Sequence, residues 1–156
     1  MIERLLEKLC ERVAARFPKK VIPRPNGEPY LVRYYLIGRE DRPFNIFLHL
    51  FVHGDEESEL HSHPWGSSFS LILTGGYHEE RRIGRQVVRR LVKPFSINVI
   101  RSNDFHRVDL VKDRAWTLFV ATHPKHNWFF WDRSTNKTVW WRDHIDQRPQ
   151  THVAEA

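Results

Sequence analysis

Two hydrophobic periods divide the chain. Near the N-terminus Ile2, Leu5, Leu6, Leu9 and Val13 recur at helical spacing, with Glu3, Glu7, Lys8, Glu11, Arg12 and Arg16 on the other side. That is the pattern of an amphipathic helix over residues 2–17, and Pro18 ends it. Pro23, Pro25, Asn26, Gly27 and Pro29 then mark a connecting loop. Beyond the loop the period shortens to two, and aromatic and β-branched residues dominate. The pattern predicts strands over 30–37, 44–53, 67–73, 77–82, 86–92, 96–100, 106–111, 116–121, 127–131 and 138–141. Gly54-Asp55-Glu56-Glu57, Gly75-Gly76 and Gly84 supply turns. Many short strands at a spacing of roughly 8–12 residues predict an all-β sandwich or barrel. The organisation expected is a helix and loop over 1–29 packed on one barrel over 30–146, followed by a tail over 147–156.

Composition narrows the classes. The 156 residues are 40% hydrophobic and 28% charged, ordinary for a globular domain and unlike a disordered chain. A single cysteine, Cys10, excludes an internal disulfide framework and an all-cysteine zinc site. It also fits a reducing compartment. Lys and Arg number 25 against 19 Asp and Glu, a net charge of +6, and 18 of the basic residues are Arg. This balance admits an anionic partner but is equally ordinary for solubility. No apolar run approaches the ~20 residues of a membrane span, and Met1-Ile2-Glu3-Arg4 is too charged to open a signal peptide. The expectation is a cytoplasmic protein with no membrane partner. A helix with this apolar face also leaves a homodimer seam open.

The chemistry concentrates in Leu60-His61-Ser62-His63-Pro64-Trp65. Residues i and i+2 of a strand share a face, so His61 and His63 can aim two imidazoles at one point, a donor set that suits Fe, Zn, Ni or Cu. Read without context, the pair is equally two histidines on a surface turn. The context is a turn at Gly54 before the pair, a strand ending at Gly75 after it, and the turn Arg101-Ser102-Asn103-Asp104 leading into His106.

This layout resembles the cupin superfamily. Gly54, His61, His63 and Gly75 occupy its first motif, and His106 the histidine of its second. The run His61 to Trp65, with Ser70 to Tyr77, Asn127 to Phe130 and Val139 to Asp143, is also similar to small bacterial and phage-type cupins. The resemblance implies a jelly-roll barrel, a double-stranded β-helix, in which His61, His63 and His106 converge on one divalent metal. Two positions depart from the pattern. The usual glutamate is Ser68, and the second motif's glycine is Asn103, a residue able to adopt the left-handed conformation. The set expected is therefore three histidines. Such a site leaves about three octahedral positions open and favours Fe(II), with Zn, Ni and Mn as alternatives.

Other residues are candidates for the pocket. Alternation places Ser68, Ser70 and Ile72 on one face. Trp65 is a wall or lid. Tyr77 offers a phenol to substrate. His49 is a base behind the metal ligands, a fourth ligand or a core histidine holding a hydrogen bond. Arg101 is the candidate anchor for an anion, because Arg107 points away from His106. Glu79 and Glu80 adjoin Arg81 and Arg82 and read as solvated ion pairs, and Pro124 weighs against His123 and His126 as a metal pair. Arg81, Arg82, Arg85, Arg89 and Arg90 crowd one hairpin, but no nucleic-acid motif accompanies them, so nucleic acid is not the partner expected. The function expected is a non-haem oxygenase or dioxygenase acting on a small anionic molecule. The alternatives are a Zn-, Ni- or Mn-dependent isomerase, lyase or hydrolase, and a barrel that binds a ligand or polyanion without turnover.

Overall fold

The structure, a computed structural model, describes residues 2–24, 27–39, 42–55 and 59–146. Pro25, Asn26, Glu56, Glu57 and the tail over 147–156 lie outside the described residues. After helix α1 (Ile2–Ala14), twelve strands follow: β1 (Lys19–Pro23), β2 (Pro29–Ile37), β3 (Phe44–Phe51), β4 (Leu60–His61), β5 (Ser67–Thr74), β6 (Tyr77–Ile83), β7 (Gln86–Val92), β8 (Ile97–Arg101), β9 (His106–Leu110), β10 (Ala115–Thr122), β11 (Phe129–Asp132) and β12 (Lys137–Trp140). A short helix, α2 (Trp141–Asp146), closes the described chain. No helix among the described residues is long and apolar enough to cross a membrane.

The strands form two six-stranded antiparallel sheets, in the orders β1-β2-β3-β10-β5-β8 and β12-β11-β4-β9-β6-β7. Strands far apart in sequence become neighbours, β10 between β3 and β5, and β4 between β11 and β9. That is the connectivity of a jelly roll. Alternation decides what fills the space between the sheets. On β5, Ser68, Ser70, Ile72 and Thr74 are buried while Phe69 is exposed. On β3 the inward residues are Phe47 and His49, and on β10 Thr117 and Phe119.

Helix α1 covers the outer face of the first sheet. Cys10 and Ala14, with Val13, pack on Leu48, Trp116, Tyr34 and Leu73, each large apolar side chain contributing about 1.5–3 kcal/mol on burial. This stripe is rotated from the one the spacing predicts, and Ile2, Leu5 and Leu9 stay exposed. The helix is also shorter than expected. Arg16 and Phe17 donate to the carbonyls of Val13 and Ala14 three residues back, the tightening turn common at helix ends.

Three further differences have simple causes. Lys19–Pro23 is a strand rather than part of a loop, so the segment 1–29 contributes an edge to the barrel. Its residues are nearly all exposed, which erases the alternation that would reveal it. Only Leu60–His61 of the histidine segment is strand, because Pro64 has no N–H to extend the ladder. Trp141 begins α2 instead of ending a strand.

Gly75 and Gly76 turn the chain from β5 to β6 with φ of +80° and +79°. A Cβ on Gly75 would fall 2.2 Å from the Arg114 carbonyl oxygen and 2.9 Å from the Ala115 Cα. Both obstacles are backbone. Gly75→Ala is therefore expected to lower stability by roughly 2–4 kcal/mol, from left-handed strain plus the clash. An unchanged midpoint in chemical unfolding would contradict this.

Candidate metal centre and chamber

Ser62 sets the histidine pair. It is buried, its N–H donates to the Phe129 carbonyl at 2.8 Å, and its Oγ accepts from the Phe129 N–H at 3.0 Å. With Ser62 fastened to β11, His61 and His63 project to the other side, into the barrel. The segment beyond is clamped as well, since the Lys125 N–H donates to the Pro64 carbonyl at 2.8 Å and Trp65 bridges to Pro124. Directly opposite His61 in the sheet stands His106, the first residue of β9.

The three rings meet. Their centroids lie 5.2 Å apart for His61–His63, 5.2 Å for His61–His106 and 5.0 Å for His63–His106. One nitrogen of each falls within 4.8 Å of the others, and His63 Nε2 is 2.7 Å from His106 Nε2. Two imidazole nitrogens on one divalent ion, at ~2.1 Å bonds, sit roughly 3 Å apart, so this donor set fits such an ion with little adjustment. Burial pushes His61 and His63 below the usual histidine range. His106 adds to this in both, while the Asp55 carboxylate partly opposes it at His61. Neutral imidazole is the form that binds a metal.

His106 is oriented by a residue whose role the sequence reading missed. Its Nδ1 is 2.8 Å from Glu79 Oε1. An ionised carboxylate only accepts, so Nδ1 carries the proton and Nε2 offers its lone pair toward His61 and His63. Glu79 is not a solvated ion pair, because its side chain has 0% exposure. It accepts from Asn98 Nδ2 at 2.8 Å, from Arg81 Nη2 at 2.9 Å and from Arg90 Nε at 2.8 Å. Burial alone would raise its pKa. The hydrogen bond from His106, with those from Asn98 and Arg81, overcomes burial and holds the carboxyl well below the usual range. Glu80, one residue on, points outward and does form the surface pairs expected of both, to Arg107 at 3.0 Å and Arg89 at 3.4 Å. The signal for Glu79 was present: alternation puts it on the face of Tyr77, already a pocket candidate.

The imidazoles open onto a cavity of about 440 Å³, lined also by Phe51, Trp65, Ile100, Val108, Phe119 and Trp128. Arg33, His49, Asp55, Ser70 and Tyr77 contribute its polar wall. Tyr77 takes a hydrogen bond on its hydroxyl from Asn98 Nδ2 at 3.1 Å, and burial pushes its pKa up to about 12. His49 stacks on Phe119 at 4.9 Å and takes a hydrogen bond on Nε2 from Arg33 Nε at 3.1 Å. It stands outside the imidazole cluster.

Three expectations need correction. Ser68 does not line the chamber; it is fully buried and its Oγ donates to the Ile100 carbonyl at 3.2 Å. Arg101 does not face the site either. On β8, Asn98 and Ile100 point in, so Ile97, Val99 and Arg101 point out. The cations that line the chamber are Arg33 on β2 and Lys20 on β1. Asn103 does not adopt the left-handed conformation, since the non-glycine residues with positive φ among those described are Phe95 and Asn136. Asp104 closes that turn instead, accepting from the Arg101 N–H at 2.9 Å.

Compared by sequence, the chain matches no protein-family model and no curated protein. By structure it is similar to Fe(II) HppE, with a TM-score of 0.55 at 15% identity, over 69% of this chain and 57% of that one. It is also similar to an oxalate decarboxylase, with a TM-score of 0.57 at 12% identity, over 87% of this chain and 33% of that one. A third neighbour is a provisionally assigned mannose-6-phosphate isomerase from Ralstonia eutropha JMP134, with a TM-score of 0.51 at 16% identity, over 67% of this chain and 92% of that one. The chain spans little more than half the length of HppE. The fold is the cupin jelly roll.

Glu79→Gln is expected to cost roughly 3 kcal/mol, because it leaves Arg81 and Asn98 without the anion they enclose. Arg90→Met should cost less than about 1 kcal/mol, since Arg90 is half-exposed and water replaces it. Denaturant unfolding that gives the reverse order would refute this account. Nitrogen NMR of metal-free protein should find His106 as the Nδ1–H tautomer and lose that signature in Glu79→Gln.

Proposed function

We propose that the chain is a non-haem Fe(II) oxygenase or dioxygenase that acts on a small anionic molecule, with His61, His63 and His106 as metal ligands. One observation carries the reading. Three imidazoles converge at the wall of a largely apolar cavity, and no carboxylate joins their cluster among the described residues. Fe(II) held there would supply one-electron chemistry toward dioxygen, with coordination positions left over for substrate.

The chain's own groups define the rest. Glu79 fixes the His106 ring through Nδ1 and keeps Nε2 free of a proton. Trp65, Phe119 and Ile100 give the chamber apolar walls, and a polar contact beside such a wall is stronger than one in water. Tyr77 stays protonated at neutral pH and acts as a hydrogen-bonding phenol rather than as a base. Asn98 holds both Tyr77 and Glu79, so the phenol and the His106 ring are set by one amide.

Elemental analysis of the purified protein beside His61→Ala/His106→Ala tests the proposal. We expect an equivalent of iron in the wild type, its loss in the double variant, and oxygen consumption with a pool of small carboxylic and phosphonic acids. Zinc or nickel lost in the variant, with turnover independent of oxygen, would replace oxygenation by Lewis-acid chemistry. No bound metal after reloading would overturn the site.

A further inference from the structure

The barrel has an edge that the chamber does not use. β8 ends its sheet, and its one strand partner is β5. The Ile72 N–H donates to the Ser96 carbonyl at 3.0 Å, and the Ser102 N–H to the Gly66 carbonyl at 3.3 Å. Antiparallel pairs that exchange hydrogen bonds alternate with pairs that do not. In the unbroken register between those two bonds, Asn98 and Ile100 therefore also bond to β5. The N–H and C=O groups of Ile97 and Val99 point the other way, and no partner for them occurs among the described residues. β7 approaches from the second sheet, but it pairs with β6 and reaches β8 through the Arg90 side chain on Asn98.

This edge is also unguarded. The other sheet edges carry the charges and proline that keep strands from pairing with strangers: Lys19, Lys20 and Pro23 on β1, Arg89 and Arg90 on β7, and Lys137 on β12. Ser96 to Ile100 has neither a charge nor a proline, and its register shows no bulge. Its outward side chains are apolar. Ile97 is 64% exposed and Val99 40%, and across the ladder they stand beside Leu71 and Phe69. Ile97, Val99 and Phe69 leave on the order of 300 Å² of apolar surface in water, the size at which a patch marks an interaction site. The strand ends fix the register of a mate. Phe95 has a φ of +68° and leaves the extended conformation, and the Arg101 N–H is already held by Asp104 at 2.9 Å. A second β8 laid antiparallel, with Ile97 opposite the partner's Val99, satisfies every N–H and C=O that Ile97 and Val99 present.

We propose that β8 is the docking edge for a second copy of this chain, in a two-fold dimer that joins two six-stranded sheets into one. An isologous contact needs a self-complementary patch, and β8 supplies one in both backbone and side chains. In the register above, the outward apolar row of Phe69 and Val99 runs on into the partner's Ile97 and the partner's Leu71. One strand pair covers less than the ~800 Å² per partner of a standard interface, so the dimer is expected to dissociate in the micromolar range, of order 10 µM. The proposal is independent of the metal reading.

Sedimentation velocity of the full chain from about 1 to 300 µM brackets that constant, and amide hydrogen exchange at the two ends of the range locates the contact. We expect a monomer–dimer transition, with exchange at the Ile97 and Val99 amides slowed about fivefold or more at the upper concentration. Val99→Pro removes an outward N–H and leaves the ladder to β5 intact. It should stay monomeric throughout, with the circular dichroism and metal uptake of the wild type. Should Val99→Pro not fold, Ile97→Lys/Val99→Lys carries the test, because both side chains are already exposed and the register sets lysine against lysine. A monomer at every concentration overturns the proposal. So does a dimer whose Ile97 and Val99 amides exchange as fast as in the monomer. A dimer that survives the β8 variants and falls apart in Leu5→Glu/Leu9→Glu overturns it in favour of a seam on the exposed side of α1.

Discussion

Glu79 is the constraint on which the site depends. A carboxylate with no solvent exposure costs several kcal/mol in lost hydration, and this one is offset by donors from three strands besides its own, His106 on β9, Asn98 on β8 and Arg90 on β7, and by Arg81 from β6 itself. Asn98 belongs to one sheet and the other partners to the second. The carboxylate therefore ties the two sheets together where the barrel must close. The same bonds fix the tautomer and direction of His106. Closure of the fold and orientation of the imidazole cluster are one set of interactions.

The chamber inherits a division of labour from the two sheets. The sheet of β4 and β9 supplies the neutral imidazoles. The sheet of β2, β3 and β10 supplies Arg33, His49, Phe47 and Phe119. A ligand between them meets a cation and aromatic faces on one side and lone-pair nitrogens on the other. Because the walls are largely apolar, few polar groups suffice to orient it.

Charge is distributed less freely than the composition suggests. The basic hairpin of β6 and β7 is matched locally: Arg81 and Arg90 to Glu79, and Arg89 to Glu80 and Asp109. Arg82 lies 4.6 Å over the Trp131 ring. Much of the positive charge there serves packing and closure.

Local pattern by itself determined the strands with one buried face, the glycine turns at Gly75 and Gly84, and the pairing of His61 with His63, because alternation and turn chemistry are properties of neighbouring residues. His106 was brought to them by the resemblance to the cupin motifs and not by local pattern. An exposed edge such as β1 left no trace, since burial creates the pattern and β1 has little. Glu79, Arg33 and Arg101 could not be sorted this way. Each is a charged residue beside apolar ones in sequence, and only the face it presents distinguishes chamber from solvent. That face is decided by which strands lie on either side and by which donors they deliver. Arg33 gains its place from His49 on β3, and Glu79 from Asn98 and His106. A buried charge is tolerated only where distant strands converge to solvate it, and that convergence is a tertiary property.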